Sequence, residues 1–199
     1  MEYRILLAIV ISLIVFIFSF SFWRSVKEDY VPAQIFTATF YILLSFIISL
    51  GIFYIFKIHS IWIIGVLFLF GLLSASKRTG IRFYELVDEF VGSILLSLMP
   101  LVILVIRLGE TSFEVFYIIL VLSLLLFHLV KRRYKSFLWY RSGRKGLSGL
   151  FAIGAFFLIR SIVSIAKPEM TFLLDEYDIM ISGLISFLSF LNIFILAKE

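Results

Sequence analysis

Apolar residues run along this chain in long stretches, and charged residues collect in the gaps between them. Seven stretches can be drawn: Ile5 to Trp23, Gln34 to Phe56, Ile61 to Ser76, Leu86 to Ile106, Phe113 to Val130, Leu147 to Ala166 and Ile179 to Ala197. Most approach the ~20 residues that a helix needs to cross a bilayer, and the third is the shortest. None shows the ten-residue alternation of a membrane barrel strand, so helices are expected. Pro100 lies inside the fourth stretch, where it removes a ladder hydrogen bond and should kink the helix. The first stretch has a short charged lead, Glu2 and Arg4, and no small-residue cleavage pattern. It reads as a retained helix and not a removed signal peptide. The pattern predicts an all-α integral membrane protein with about seven transmembrane helices, forming a single polytopic domain over residues 1–199.

Charge placement gives a direction. Thirteen of the 18 Lys and Arg residues fall after the first, third, fifth and seventh stretches, among them Arg24, Lys27, Lys77, Arg78, Arg82 and the run Lys131 to Lys145. The positive-inside rule then puts the N-terminus outside and the C-terminus in the cytoplasm. Trp23, Trp62 and Trp139 sit at stretch ends, as interfacial anchors do. The basic run KRRYKSFLWYRSGRK reads as a cytoplasmic loop beside anionic lipid, and no nucleic-acid partner is expected. Asp175, Glu176 and Asp178 read as a solvated acidic loop on the outer side.

Composition agrees with the pattern. Hydrophobic residues make up 62% of the chain, against the ~45–50% of a soluble domain. With no cysteine, disulfides, thiolate catalysis and Cys-based metal sites are excluded within the chain. The two histidines, His59 and His128, make a metal site unexpected, and no cofactor is expected.

Candidate chemistry rests on charges at membrane depth. Arg160 lies inside the sixth stretch. A guanidinium stays charged in proteins, and at mid-bilayer it costs at least ~2.5–3.5 kcal/mol. Such a residue faces a polar cavity or a partner, or else snorkels to the headgroups, and Lys167-Pro168 is near enough for the second reading. Arg107 and Glu110 lie three apart and would pair if their helix continued one more turn. Two arginines at one depth, Arg107 and Arg160, would make an anion site, and lipid phosphate is the anion at hand. His59 is the outer-side group that titrates near neutrality, hence the general-base candidate. His128 is assigned no role. Ser182, Ser186 and Ser189 share a helix face and read as packing residues.

The order of these features resembles the prolipoprotein diacylglyceryl transferases of bacterial inner membranes. Ser148-Gly-Leu-Phe-Ala-Ile-Gly154, then Arg160, then Lys167-Pro-Glu169 is similar to a family stretch, with Trp139 to Gly146 as the basic loop before it. Ile181 to Ser186 resembles the start of the family's last helix. Lys77 to Asp88 resembles the basic turn and aspartate opening its fourth, and Arg107-Leu-Gly109 resembles the arginine of the GRxGNF signature. The signature's first glycine and its asparagine are replaced by Ile106 and Glu110, the HGG motif reads His59-Ser-Ile, and Phe156, Ser164 and Leu184 replace three other polar family positions. The resemblance implies a multi-pass inner-membrane enzyme. It would transfer a diacylglyceryl group from phosphatidylglycerol to the lipobox cysteine of a prolipoprotein signal peptide. Arg107 and Arg160 would hold the lipid phosphate together with Glu110, and His59 would help deprotonate the thiol. The lost positions open a second reading, a family-fold protein without catalysis that binds lipid or a partner helix. A small transporter is a third, for which the stretches carry few polar residues.

Overall fold

The computed structural model describes residues 2–56, 61–133, 147–172 and 177–198, and among them it is helical with no strand. The helices are α1 (Glu2–Val26), α2 (Pro32–Phe56), α3 (Ile61–Thr79), α4 (Phe83–Ser97), α5 (Val102–Leu108), α6 (Thr111–Arg133), α7 (Leu147–Ala166) and α8 (Asp178–Lys198). Short 3-10 turns at Met99–Leu101 and Pro168–Met170 join α4 to α5 and follow α7. Six helical segments are long and apolar enough to cross a membrane, with α4, the turn and α5 acting as one segment from Phe83 to Leu108. This is the form that hydrocarbon imposes, because a helix satisfies its own backbone N–H and C=O groups where no water can. Pro100 breaks the long helix as expected, and the chain continues after three residues of tighter winding.

The centre of the bundle is α4 and α7. α1 packs chiefly on α4 and only lightly on its chain neighbour α2, which packs mainly on α3, while α6 and α8 flank α7. Phe90 of α4 is the aromatic hub, 6.0 Å from the Phe18 ring and 5.3 Å from the Phe68 ring. Outward faces stay apolar: Phe16, Phe36 and Phe187 are each more than 60% exposed, the inverse of a soluble surface.

At one end, here called the basic end, the first turns of α4 fasten four other elements. The Tyr30 hydroxyl donates to Glu85, and Gln34 Nε2 donates to Thr79 O at 2.8 Å, which places the α1–α2 linker beside the end of α3 and the start of α4. Lys131 Nζ donates to both Glu89 oxygens, at 3.1 and 2.9 Å, and ties in the end of α6. Tyr84 Oη donates to Asn192 Oδ1 of α8 at 3.4 Å.

The fourth fastening is buried. Asp88, 4% exposed, accepts Ser148 Oγ–H at 2.8 Å and Gly149 N–H at 2.5 Å. The first N–H groups of a helix have no partner within it and carry its positive dipole end, so a carboxylate from α4 caps α7. Gly149 permits this approach, since a Cβ there would lie 2.8 Å from Asp88 Cα.

Two expectations follow. Gly149→Ala must push α7 away from the α4 backbone and should cost ~1–3 kcal/mol. Gly51→Ala, with open space around the site, should be neutral or stabilise by roughly 0.5–1 kcal/mol. Thermal unfolding of both variants in detergent checks the contrast. Burial first, then the hydrogen bond and negative charge of Glu85, push the Tyr30 phenol up to about 12. Its folded value exceeds the ordinary one of 10.0, so the neutral phenol stabilises fully below pH 10.0 and loses that contribution as pH rises towards about 12. An ultraviolet tyrosinate titration should show this late component, and Tyr30→Phe should remove it.

Candidate functional site

The opposite end of the bundle holds Arg160. The α7–α8 hairpin brings it there, and small residues set the spacing. Ser186 Oγ donates to Gly154 O at 2.9 Å, and Ser161 Oγ to Ile179 O at 3.3 Å. A hairpin with glycine and serine at its seam lets the backbones approach closely enough for such bonds. Ser182 lies in the same seam, fully buried, and its hydroxyl has no partner among the described residues. The packing role expected of Ser182 and Ser186 is the one they take.

Arg160 does not snorkel. It is 2% exposed, and its counter-charge is Asp178, the first residue of α8, which is 0% exposed. Arg160 Nε and Nη2 both donate to Asp178 Oδ1, at 3.2 and 2.9 Å. Nη1 donates to the Phe172 carbonyl at 2.9 Å. Ser164, one turn further along α7, is 2.9 Å from Arg160 O, 3.2 Å from Asp178 Oδ2 and 3.2 Å from Thr171 Oγ1. The cluster joins a cation, an anion, two hydroxyls and a carbonyl in a site closed to solvent. A charge pair out of water is stable only when its remaining hydrogen-bonding groups are also met, and these contacts supply part of that.

A short strap covers the cluster. It runs from Lys167, where Pro168 stops α7, through the 3-10 turn to Phe172. The Phe172 carbonyl faces Arg160, and its ring lies 5.0 Å from Phe113 and 5.3 Å from Phe116 of α6.

Two other expected site residues, Arg107 and Glu110, are not hydrogen-bonded or ion-paired into this cluster among the described residues. Arg107 is exposed at the last turn of α5. Its helix does not run on to Glu110, because Gly109 adopts φ 63°, a left-handed cap, and Glu110 O instead receives the Phe113 and Glu114 N–H groups that open α6. Among the described residues no hydrogen bond or ion pair joins Arg107 to Glu110 or to Arg160. His59, Trp139, Asp175 and Glu176 lie outside the described residues. Asp178 corrects the reading of the acidic outer loop: it is buried as the partner of Arg160. The signal was in the serine pattern. Asp178, Ser182 and Ser186 recur every four residues, so the packing face identified at the serines continues one turn back to the aspartate.

Among the described residues no group of His, Asp and Glu is placed to hold a metal. Clefts occur elsewhere in the bundle. One, at the basic end, is lined by Ser25, Asp29, Tyr30, Glu85 and Glu89, and an apolar one lies between α1 and α2 over Phe68 and Ile94. In comparisons with known proteins, no family model, no curated protein and no solved structure matches this chain.

Removing one partner of the buried pair should cost far more than replacing both. Arg160→Met alone strands the buried Asp178 charge and should lose ~3–5 kcal/mol, and Asp178→Leu alone removes a counter-charge of Arg160 and should also destabilise. The double variant should recover most of that loss. Thermal unfolding of the four proteins in one detergent measures the coupling, and simple additivity would show that the pair is not the stabilising unit.

Proposed function

We propose that this chain is a multi-pass protein of the bacterial inner membrane that handles phosphatidylglycerol at the Arg160 end of the bundle. Its reaction is transfer of the diacylglyceryl group to the lipobox cysteine of a prolipoprotein signal peptide. In this reading the bundle crosses the membrane seven times with its N-terminus outside. The observation that carries the reading is the anion nest inside α7: guanidinium N–H groups and the Ser164 hydroxyl converge on one carboxylate in an otherwise apolar span. A phosphodiester has the charge and the paired oxygens that such a nest accepts.

In the reaction a carbon–oxygen bond to phosphate breaks, a carbon–sulfur bond forms, and glycerol phosphate leaves. The thiol proton passes to His59 or to water. Arg160 and Arg107 would stabilise the charge that grows on the departing phosphate.

A second reading is binding of lipid or a partner helix without chemistry. It is favoured by Asp178, which already fills the nest.

The test is a transfer assay with folded protein, phosphatidylglycerol micelles and a lipobox peptide, following peptide mass. The expected result is a gain of one diacylglyceryl group. Arg107→Ala, at an exposed position, should slow it by ~10²-fold, the size typical of a lost charge-stabilising donor. A folded wild-type protein that binds phosphatidylglycerol yet leaves the peptide mass unchanged sinks the transfer reading in favour of the second.

A further inference from the structure

We infer that Asp178 is an internal anion that occupies the place of the lipid phosphate, and that the strap from Lys167 to Phe172 holds it there. The inference rests on the reading of the Arg160 end as the phospholipid end, and it adds the control of that site.

The chemistry of the exchange is conservative. A carboxylate and a phosphodiester each carry one negative charge on two oxygens, and both suit a guanidinium. Asp178 Oδ1 takes two Arg160 N–H groups, and Oδ2 lies 3.2 Å from the Ser164 hydroxyl, so the carboxylate uses the donors that a phosphodiester would use. An external anion finds no room while this contact stands, because Arg160 and Asp178 are 2% and 0% exposed.

The cover is local. Asp178 is the first residue of α8, next to the connection from α7. Arg160 lies six residues before Ala166, about 9 Å of helix from the end of α7 at ~1.5 Å per residue. Over it pass the Phe172 carbonyl, bonded to Arg160, and Thr171, bonded to Ser164. The Phe172 ring, seated on Phe113 and Phe116, is the apolar fastening of the strap. Withdrawal of that ring would carry the Phe172 carbonyl off Arg160 and open the cluster towards the end of the bundle. The incoming phosphate would then replace Asp178 on the guanidinium.

A purely structural Asp178 makes a different prediction from an internal anion, since neutralising it should then destabilise the protein and add no binding. The experiment compares wild type, Asp178→Asn, Phe172→Ala and Arg160→Gln/Asp178→Asn in detergent. Phosphatidylglycerol, glycerol phosphate and diacylglycerol are the probes, and circular dichroism and gel filtration confirm folding. Asp178→Asn should bind phosphatidylglycerol at least tenfold tighter than wild type and diacylglycerol no tighter. The Arg160→Gln/Asp178→Asn protein should lose the gain.

An equal gain for glycerol phosphate supports the internal anion and assigns the site to soluble phosphate esters. No gain in folded Asp178→Asn overturns the inference. Should that variant not fold, Phe172→Ala decides: severalfold tighter phosphatidylglycerol binding supports the inference, and unchanged binding overturns it. Failure of the underlying reading looks different. Transfer by wild type with no gain in Asp178→Asn leaves the reading standing and removes the inference, whereas a gain without transfer does the reverse.

Discussion

An arginine in hydrocarbon must bring its counter-charge with it, and much of the bundle's architecture at one end answers that demand. Arg160 meets Asp178 only if α7 and α8 lie close in one register, and Gly154, Ser161, Ser182 and Ser186 make the seam narrow enough. The same guanidinium reaches the Phe172 carbonyl, which directs the strap across the end of α7 and sets the Phe172 ring on α6. A single charge thus fixes a hairpin, a connection and a third helix. With lipid on every side, apolar burial discriminates weakly between one helix pairing and another, so polar contacts of this kind carry the specificity.

The other end obeys the same logic with different groups. α4 presents Glu85, Asp88 and Glu89 within its first two turns, each answered by a separate element. α4 is therefore central for two reasons: its apolar middle centres on Phe90, and its polar start holds the linker, α6 and α7 in place. Both ends are polar clasps on an apolar barrel of side chains.

Much of the helix layout was legible in the sequence. The C-terminal limit of α7, Ala166, coincides with the end of the apolar run, because Lys167-Pro168 follows. Pro100 announced its own break. Helix pairing was not legible: α1 is apolar all round, with Phe16 and Phe20 facing out as Phe18 and Phe22 face in, so no stripe names α4 as its partner. The candidate site was half legible. Arg160 stood out by its cost, while Asp178 was hidden by its position, since an acid just before an apolar run looks like loop. Arg107 and Glu110 suggested a pair on the assumption of continuous helix, and Gly109 at φ 63° ends that helix between them.

The cap on α7 has a consequence for how the molecule is made. The residue that quiets the first amides of α7 is not a neighbour in sequence but Asp88, 60 residues earlier. A chain emerging from its N-terminus has already delivered Asp88 when Ser148 and Gly149 appear. The receptor for α7 thus exists before α7 does, and the hairpin with α8 has a prepared seat instead of searching for one. Assembly order is written into the fold as a waiting carboxylate.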